Sequence, residues 1–438
     1  MIKFSVFKRW WSQKRHLSMA SLPTHTTQCP CCGLESVVPQ MSQGESANCP
    51  QCGQLLVKIN RNPYTAPLAF VSAAWILMLL VGSQVYLNMD MIGVSEHLSV
   101  IDIFQNLKHH EYGFLATVML LLVFFTPVLF MSMYMYVHIA LYRQHYLPGT
   151  NLCARHMIRL RPWLMVDVFF VATLVALVKI AAVSDFTVGP AFGFVFVYAL
   201  FLIHMGINIH PHWLFYQLSQ LQPDAQPLCI SQHKPNTLYC TRCLHAQNHT
   251  DNECDVCGAF LYHRIPNSIQ KSLALLITAM ILFIPANTFI MMSTDSLLSS
   301  AQSNIFDGVL ILWKEKDHLV AVIVFIASIL IPVVKILMLM ILLYSARFQL
   351  LLPPKVLNKM YHFVEFIGRW SMIDIFVIIL LMAVYRTNIA SVTPGMASVY
   401  FTLVIFATML SAEVLDLRLI WDRYHQQQRA KKHASHRP

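Results

Sequence analysis

Eight of the chain's eleven cysteines fall in four CxxC pairs, and the pairs come in two sets. The first set is Cys29-x2-Cys32, sixteen residues, then Cys49-x2-Cys52. The second is Cys240-x2-Cys243, ten residues, then Cys254-x2-Cys257. Gly33, Gly53 and Gly258 follow three of the pairs and permit the tight turn that aims backbone amides at thiolate sulfur. Four thiolates in a tetrahedral array suit zinc and leave no open position for substrate, so both sets predict structural zinc ribbons rather than catalytic centres. A redox CxxC normally opens a helix in a thioredoxin-like βαβ context, which is absent around either set. Unbridged knuckles of this kind fit a reducing cytosol. Cys31 reads as a spare thiol beside the first set, and Cys153 and Cys229 receive no role.

A second group of residues with chemical potential lies inside apolar runs. Lys335 follows Pro332 deep in one run, Asp374 opens another beside Ser371, and Ser328 precedes Lys335 by two turns. An ionisable group within a membrane span costs about 2.5–3.5 kcal/mol on insertion scales, so each asks for a functional reason. The expected arrangement is a Lys335–Asp374 pair framed by Ser328 and Ser371. A structural salt bridge and lysine snorkelling are the plainer readings. The first half offers Asp167 and Lys179, but Phe130 stands near the place that Lys335 takes in the second. His138 and His204 also fall within runs, where packing is favoured over ligation.

The elements that must position these groups are membrane helices. The chain has 438 residues, 56% hydrophobic and 12% charged, whereas soluble domains carry roughly twice that charge. Eight spans of the required length are predicted, at 67–89, 113–141, 163–183, 191–215, 271–292, 318–345, 371–387 and 397–417. The net charge of +10 gathers at Lys3, Lys8, Arg9, Lys14 and Arg15, in alternate loops, and at Arg429, Lys431, Lys432 and Arg437. Juxtamembrane charge of this kind needs no nucleic acid to explain it. Eight spans bring the loops rich in lysine and arginine to one side and Asp90, Glu96, Asp102, Glu111, Asp295, Asp307, Glu315 and Asp317 to the other. By the positive-inside rule both termini and both cysteine sets are cytoplasmic. The first twenty residues lack the apolar core of a signal peptide, which agrees.

The sequence also repeats itself. Trp163-Leu-Met165-Val-Asp167-Val-Phe169 returns as Trp370-Ser-Met372-Ile-Asp374-Ile-Phe376. Four spans per half make the repeats parallel rather than inverted, which removes the usual basis of rocking-bundle transport. The fold class expected is an all-α polytopic membrane protein, with two parallel four-helix transmembrane repeats, each preceded by a small cytoplasmic zinc ribbon. The domains run as a basic arm at 1–24, zinc ribbon 1 at 25–60 and transmembrane domain 1 at 61–220. Zinc ribbon 2 follows at 221–264, transmembrane domain 2 at 265–422 and a basic tail at 423–438.

With Gly368-Arg369-Trp370-Ser371-Met372-Ile373-Asp374-Ile375-Phe376 and Asp416-Leu417-Arg418-Leu419-Ile420-Trp421-Asp422, the chain resembles the paraquat-inducible protein A family over nearly its whole length. It departs from the family pattern at Leu417, where proline is usual, and at Pro162, where the second half has Arg369. The resemblance implies a multi-pass protein of the Gram-negative inner membrane that works with an MCE-domain partner, whose rings form a hydrophobic tunnel across the periplasm. It implies lipid movement between the two membranes and support of outer-membrane integrity. The sequence has no GxxxxGK[ST] motif and no catalytic constellation, so the expectation is a phospholipid-handling subunit that is not an enzyme. The alternatives are a secondary transporter of a small solute and a redox membrane protein with iron–sulfur ligation.

Overall fold

The computed structural model describes residues 21–91, 94–99, 113–181, 185–222, 237–248, 253–296, 299–314, 318–384 and 390–435. The chain is mostly helical, and among the described residues seven helices are long and apolar enough to cross a membrane: Thr65–Ser83, Gly113–Arg143, Thr150–Leu177, Pro190–Ile207, Ser268–Thr288, Ile326–Arg347 and Met396–Val414. The run predicted at 371–387 is helical over Ile373–Val384, and its last three residues lie outside the described residues. Outward-facing Ile76, Leu79, Ile281 and Ile284 stay exposed, as side chains meeting lipid tails would.

The first half begins with two hairpins, β1 (His25–Gln28) with β2 (Glu35–Val38) and β3 (Ser46–Asn48) with β4 (Leu55–Lys58). Helix α1 (Thr65–Ser83) then leads to β5 (Val85–Met91) and β6 (Val94–Ser99). Next come α2 (Gly113–Met119), a π-helical segment at Leu120–Phe125, α3 (Thr126–Arg143), α4 (Thr150–Leu160) and α5 (Val166–Ala181). Strand β7 (Asp185–Val188), α6 (Pro190–Ile207) and α7 (Pro211–Gln220) complete it.

The second half runs in the same order. A hairpin of β8 (Thr237–Tyr239) and β9 (Ala246–Asn248) precedes α8 (Ser268–Thr288), β10 (Met292–Ser296) and β11 (Ser299–Ser303). Helices α9 (Ile305–Lys314) and α10 (His318–Phe325) lead through a π segment at Ile326–Leu330 into α11 (Ile331–Arg347). Helices α12 (Pro354–Trp370) and α13 (Ile373–Val384), β12 (Ala390–Pro394), α14 (Met396–Val414) and α15 (Arg418–Ser435) follow. Both π segments stop at a proline, Pro127 and Pro332, which lacks the amide needed to continue the ladder.

Two features correct the all-α expectation. Among the described residues there are five small antiparallel sheets, and two of them cap the helix ends far from the cysteine sets, in strand orders β6-β5-β7 and β11-β10-β12. Each is held by a glycine at the head of the last membrane helix of its half. The Gly189 amide donates to Tyr86 O at 3.1 Å and the Gly395 amide to Met291 O at 2.8 Å. A Cβ on Gly189 would strike the Val85 carbonyl, and one on Gly395 the Ile290 carbonyl, so the close approach excludes any other residue. The basic loops at 142–162 and 346–370 also hold helices, α4 and α12, rather than open chain.

Small residues let the helices approach closely. Helices α8 and α14 meet at Ser272 and Ser411, whose hydroxyls exchange bonds with each other's carbonyls at 2.8 and 2.9 Å. The two halves meet at α5 and α13, where Phe169 packs edge-on against its counterpart Phe376 with ring centroids 6.0 Å apart. Residues at matching places in the two halves touch one another there.

The terminal motif explains itself in this frame. Arg418 clamps Asp416 with Nε and Nη2 at 3.0 and 2.8 Å, and Asp416 also accepts the Ile265 amide at 3.1 Å. Both side chains are 3% exposed. Arg264 makes a second fork on Asp422, with both bonds at 2.8 Å. The motif thus ties the exit of the second cysteine set to the end of the last membrane helix. Arg418→Met leaves a buried carboxylate without its cation and should cost about 3–5 kcal/mol. The expected result is a clearly lowered thermal midpoint in detergent, with Asp422→Asn, whose partner is half exposed, far milder. Equal midpoints for Arg418→Met and wild type would contradict the clamp's role.

Candidate functional site

The four thiolates of each cysteine set converge. Cys29, Cys32, Cys49 and Cys52 form one cluster and Cys240, Cys243, Cys254 and Cys257 the other, with the sulfurs of each within 4.8 Å of one another. Cys29 Sγ lies 3.5 Å from Cys52 Sγ, and Cys32 Sγ 3.5 Å from Cys49 Sγ. In the second cluster Cys240–Cys257 and Cys243–Cys254 are each 3.6 Å apart. Metal–sulfur bonds of about 2.3 Å in a regular tetrahedron put the sulfurs about 3.8 Å apart, so both clusters fit a four-thiolate metal ion.

All four knuckles share one backbone pattern. The first cysteine amide donates to the carbonyl five residues on, and the residue four places on donates back: Cys29 with Leu34 and Gly33, Cys49 with Gln54 and Gly53, Cys240 with His245 and Leu244, Cys254 with Ala259 and Gly258. The turn needs positive φ, which Gly33, Gly53 and Gly258 supply at 73°, 77° and 66°. Leu244 adopts 61° at the fourth, a strained choice for a leucine.

Cys31 is not a ligand, yet it has a place. Its Sγ–H donates to Asn358 Oδ1 at 2.9 Å, and both residues are buried. Asn358 belongs to α12, in the second half. Conversely, Asn151 on α4 of the first half donates to Val256 O at 3.1 Å in the second cluster, and Arg155 donates to Gly258 O. Each cysteine module therefore reaches across to the opposite half. The modules also touch each other, through Thr27 Oγ1 donating to Leu244 O at 2.8 Å.

Three histidines fill the junction. His25 on β1, His212 on α7 and His245 behind the second knuckle stack in sequence, with centroids 4.5 and 4.3 Å apart, all buried. His212 Nδ1 donates to Cys243 O at 2.7 Å. Nothing in the sequence marked them, because the contact joins residues almost two hundred positions apart.

The polar residues of the membrane helices come together in part. Ser328, in the π segment before α11, donates its hydroxyl to Asp374 Oδ2 on α13. Lys335, two turns further along, is 3% exposed, and its Nζ has no hydrogen-bond partner among the described residues. The ammonium lies against Gly368 of α12, where an added Cβ would sit 3.4 Å from Nζ. Ser371 turns away from the cluster and donates to Ile367 O of its own helix at 3.2 Å. In the first half Asp167 sits in the opening turn of α5, half-buried, and Phe130 is fully buried against Tyr134 at 5.7 Å between centroids. The backbone of Lys179 belongs to α5, and its side chain lies outside the described residues.

Comparison with known proteins places this architecture. The family model for paraquat-inducible protein A matches the chain twice, at residues 64–219 and 269–425. The chain is similar to the intermembrane transport protein PqiA of Escherichia coli K12, 32% identical over 403 residues, covering 90% of this chain and 95% of that protein. It is 27% identical over 415 residues to a probable intermembrane transport protein of Haemophilus influenzae, covering 93% of this chain and 98% of that one. It is also 28% identical over 407 residues to the lipophilic envelope-spanning tunnel protein A of E. coli K12, covering 91% of each chain. No solved structure matches. With two matches that follow the two helical halves and leave one cysteine module ahead of the first and the other between them, the chain belongs to the paraquat-inducible protein A family.

Proposed function

We propose that the chain is the inner-membrane subunit of a lipid transport system, passing phospholipid between the inner membrane and a periplasm-spanning MCE-domain tunnel protein. The observation that carries the reading is end-to-end similarity to proteins named for intermembrane transport and for an envelope-spanning lipophilic tunnel. The apolar helices and the absence of any nucleotide-binding motif agree with a partner-dependent subunit that does no covalent chemistry. In this reading both termini and both cysteine modules are cytoplasmic, each module holds a structural zinc, and the sheet-capped ends face the periplasm and the tunnel.

Lys335, Ser328 and Asp374, with Ser371 nearby, form the polar site of the second half, and Asp167 and Lys179 are its first-half relics. A buried amine and a serine-bonded carboxylate are both groups that can take up and release a proton, which would couple lipid passage to proton flow.

The test is capture of lipid and partner together. Cells given a photoactivatable phospholipid should yield crosslinks to this chain and to an MCE-domain protein that co-purifies with it, and deletion should weaken the outer membrane. A purified complex free of any MCE-domain protein, together with an intact envelope after deletion, would remove the reading.

A further inference from the structure

A cavity of about 350 Å³ lies apart from the polar cluster and from both cysteine sites, between the first cysteine module, the adjoining ends of α1 and α6, and Tyr134 midway along α3. Its polar lining is Lys58, Asn60, Arg61, Asn62, His204 and Asn208, and no acidic residue lines it. Two full positive charges and several amide donors converge there without an internal counter-charge. The Asn60 amide reaches Asn208 O at 3.0 Å and stitches the module to the end of α6. Arg61 and Asn62 remain exposed, so their polar groups are available to a ligand.

The opposite wall is apolar, formed by Pro67, Phe70 and Tyr134. Phe70 is fixed against Phe201 and His204, with centroids 5.4 and 4.2 Å away. Depth adds to chemistry. Helices α1 and α6, both long and apolar enough to cross a membrane, have an end at this cavity, at Thr65 and Ile207. Span ends mark the headgroup layer of a bilayer, and basic pockets between helices at that level bind anionic headgroups.

The second half does not repeat these side chains. Aligned on Pro127 with Pro332 and on Gly189 with Gly395, Tyr134, His204 and Asn208 correspond to Leu339, Leu410 and Val414. There the Val414 carbonyl accepts from the Ser268 hydroxyl at 2.8 Å. Three lining positions that are polar in one half and apolar in the other are not a by-product of the repeated fold.

We infer that this cavity binds the phosphodiester headgroup of an anionic glycerophospholipid from the leaflet on the cysteine-module side, with Lys58 and Arg61 on the phosphate and the glycerol end against Phe70. This deepens the lipid-handling reading and rests on its membrane frame. Binding is measured without the tunnel partner, so failure of transport leaves this result standing, and failure here leaves transport standing.

The test uses the delipidated full-length protein in detergent, titrated with phosphatidylglycerol, phosphatidylcholine or inorganic phosphate and read by native mass spectrometry. Phosphatidylglycerol should bind several-fold better than phosphatidylcholine. Lys58→Gln with Arg61→Gln should weaken it roughly tenfold or more, at several-fold per basic contact. Lys355→Gln with Lys359→Gln, basic residues elsewhere on the same side, should leave it unchanged. Asn62→Asp decides the matter if the double variant misfolds. It is isosteric and exposed, and it sets a negative charge at the cavity mouth, so it should weaken phosphatidylglycerol several-fold. Unchanged phosphatidylglycerol binding in Asn62→Asp overturns the inference. So does displacement of the lipid by millimolar inorganic phosphate, which would make the cavity a site for soluble phosphate.

Discussion

Replacing Cys240 and Cys243 by serine should remove one of two bound metal ions and unfold the second cysteine module. Metal analysis of the intact protein should approach two zincs per chain, one for each four-thiolate cluster. The module around Cys240–Cys257 has little core of its own, and its one described hairpin, β8 with β9, is three residues to a strand. Metal binding to so small a unit is its folding free energy, about 10–16 kcal/mol in comparable peptides at neutral pH. Damage should also spread. Asn151 and Arg155 of α4 lose the carbonyls of Val256 and Gly258, so protease cleavage should rise in the first half as well as in the second. A single zinc in the intact protein would refute the second site, and a coloured protein with an EPR signal would replace zinc by an iron centre.

Lys335→Met should give protein as abundant as wild type, or more so, that fails to support the envelope. The amine is 3% exposed and makes no hydrogen bond among the described residues. Methionine has a similar length and no charge to desolvate. Removing a lone ionisable group from a membrane interior recovers about 2.5–3.5 kcal/mol on insertion scales. Asp374→Asn keeps an acceptor for the Ser328 hydroxyl and should likewise fold. If either variant restores outer-membrane integrity as fully as wild type, the cluster is packing only, and lipid passage depends on the shape of the apolar interior. If both are poorly expressed, the pair is structural.

Much of this was legible in the residues. Cysteine spacing marks both clusters because a thiolate tetrahedron needs two knuckles and little else. The apolar runs mark the spans, and Trp163–Phe169 against Trp370–Phe376 marks the two halves. Three things were not legible, each for a physical reason. The strands at Met292–Ser296 and Ser299–Ser303 are rich in serine and carry no apolar alternation, so they look like loop; they are held by the Gly395 contact to Met291, which is remote in sequence. Helices α4 and α12 are amphipathic, and their charge, which fixed the loops to one side, hid their periodicity. The sequence suggested a Lys335–Asp374 pair because both are ionisable within apolar runs of the second half, although Asp374 opens its run and Lys335 lies deep in its own. In three dimensions Ser328 takes the carboxylate, and Lys335 lies against Gly368.

The crossed seating of the cysteine modules has a kinematic consequence. With Cys31 bonded to Asn358, and Asn151 and Arg155 bonded to the other module, these contacts hold the two helical halves together at the module end. The modules act as a hinge pin, and the fulcrum lies at their end of the molecule. Rotation about a fulcrum moves distant points most, so a small tilt opens the sheet-capped ends widest while the module end hardly moves. Such a lever gapes toward one side only, and the direction in which it can open is set by which end carries the modules.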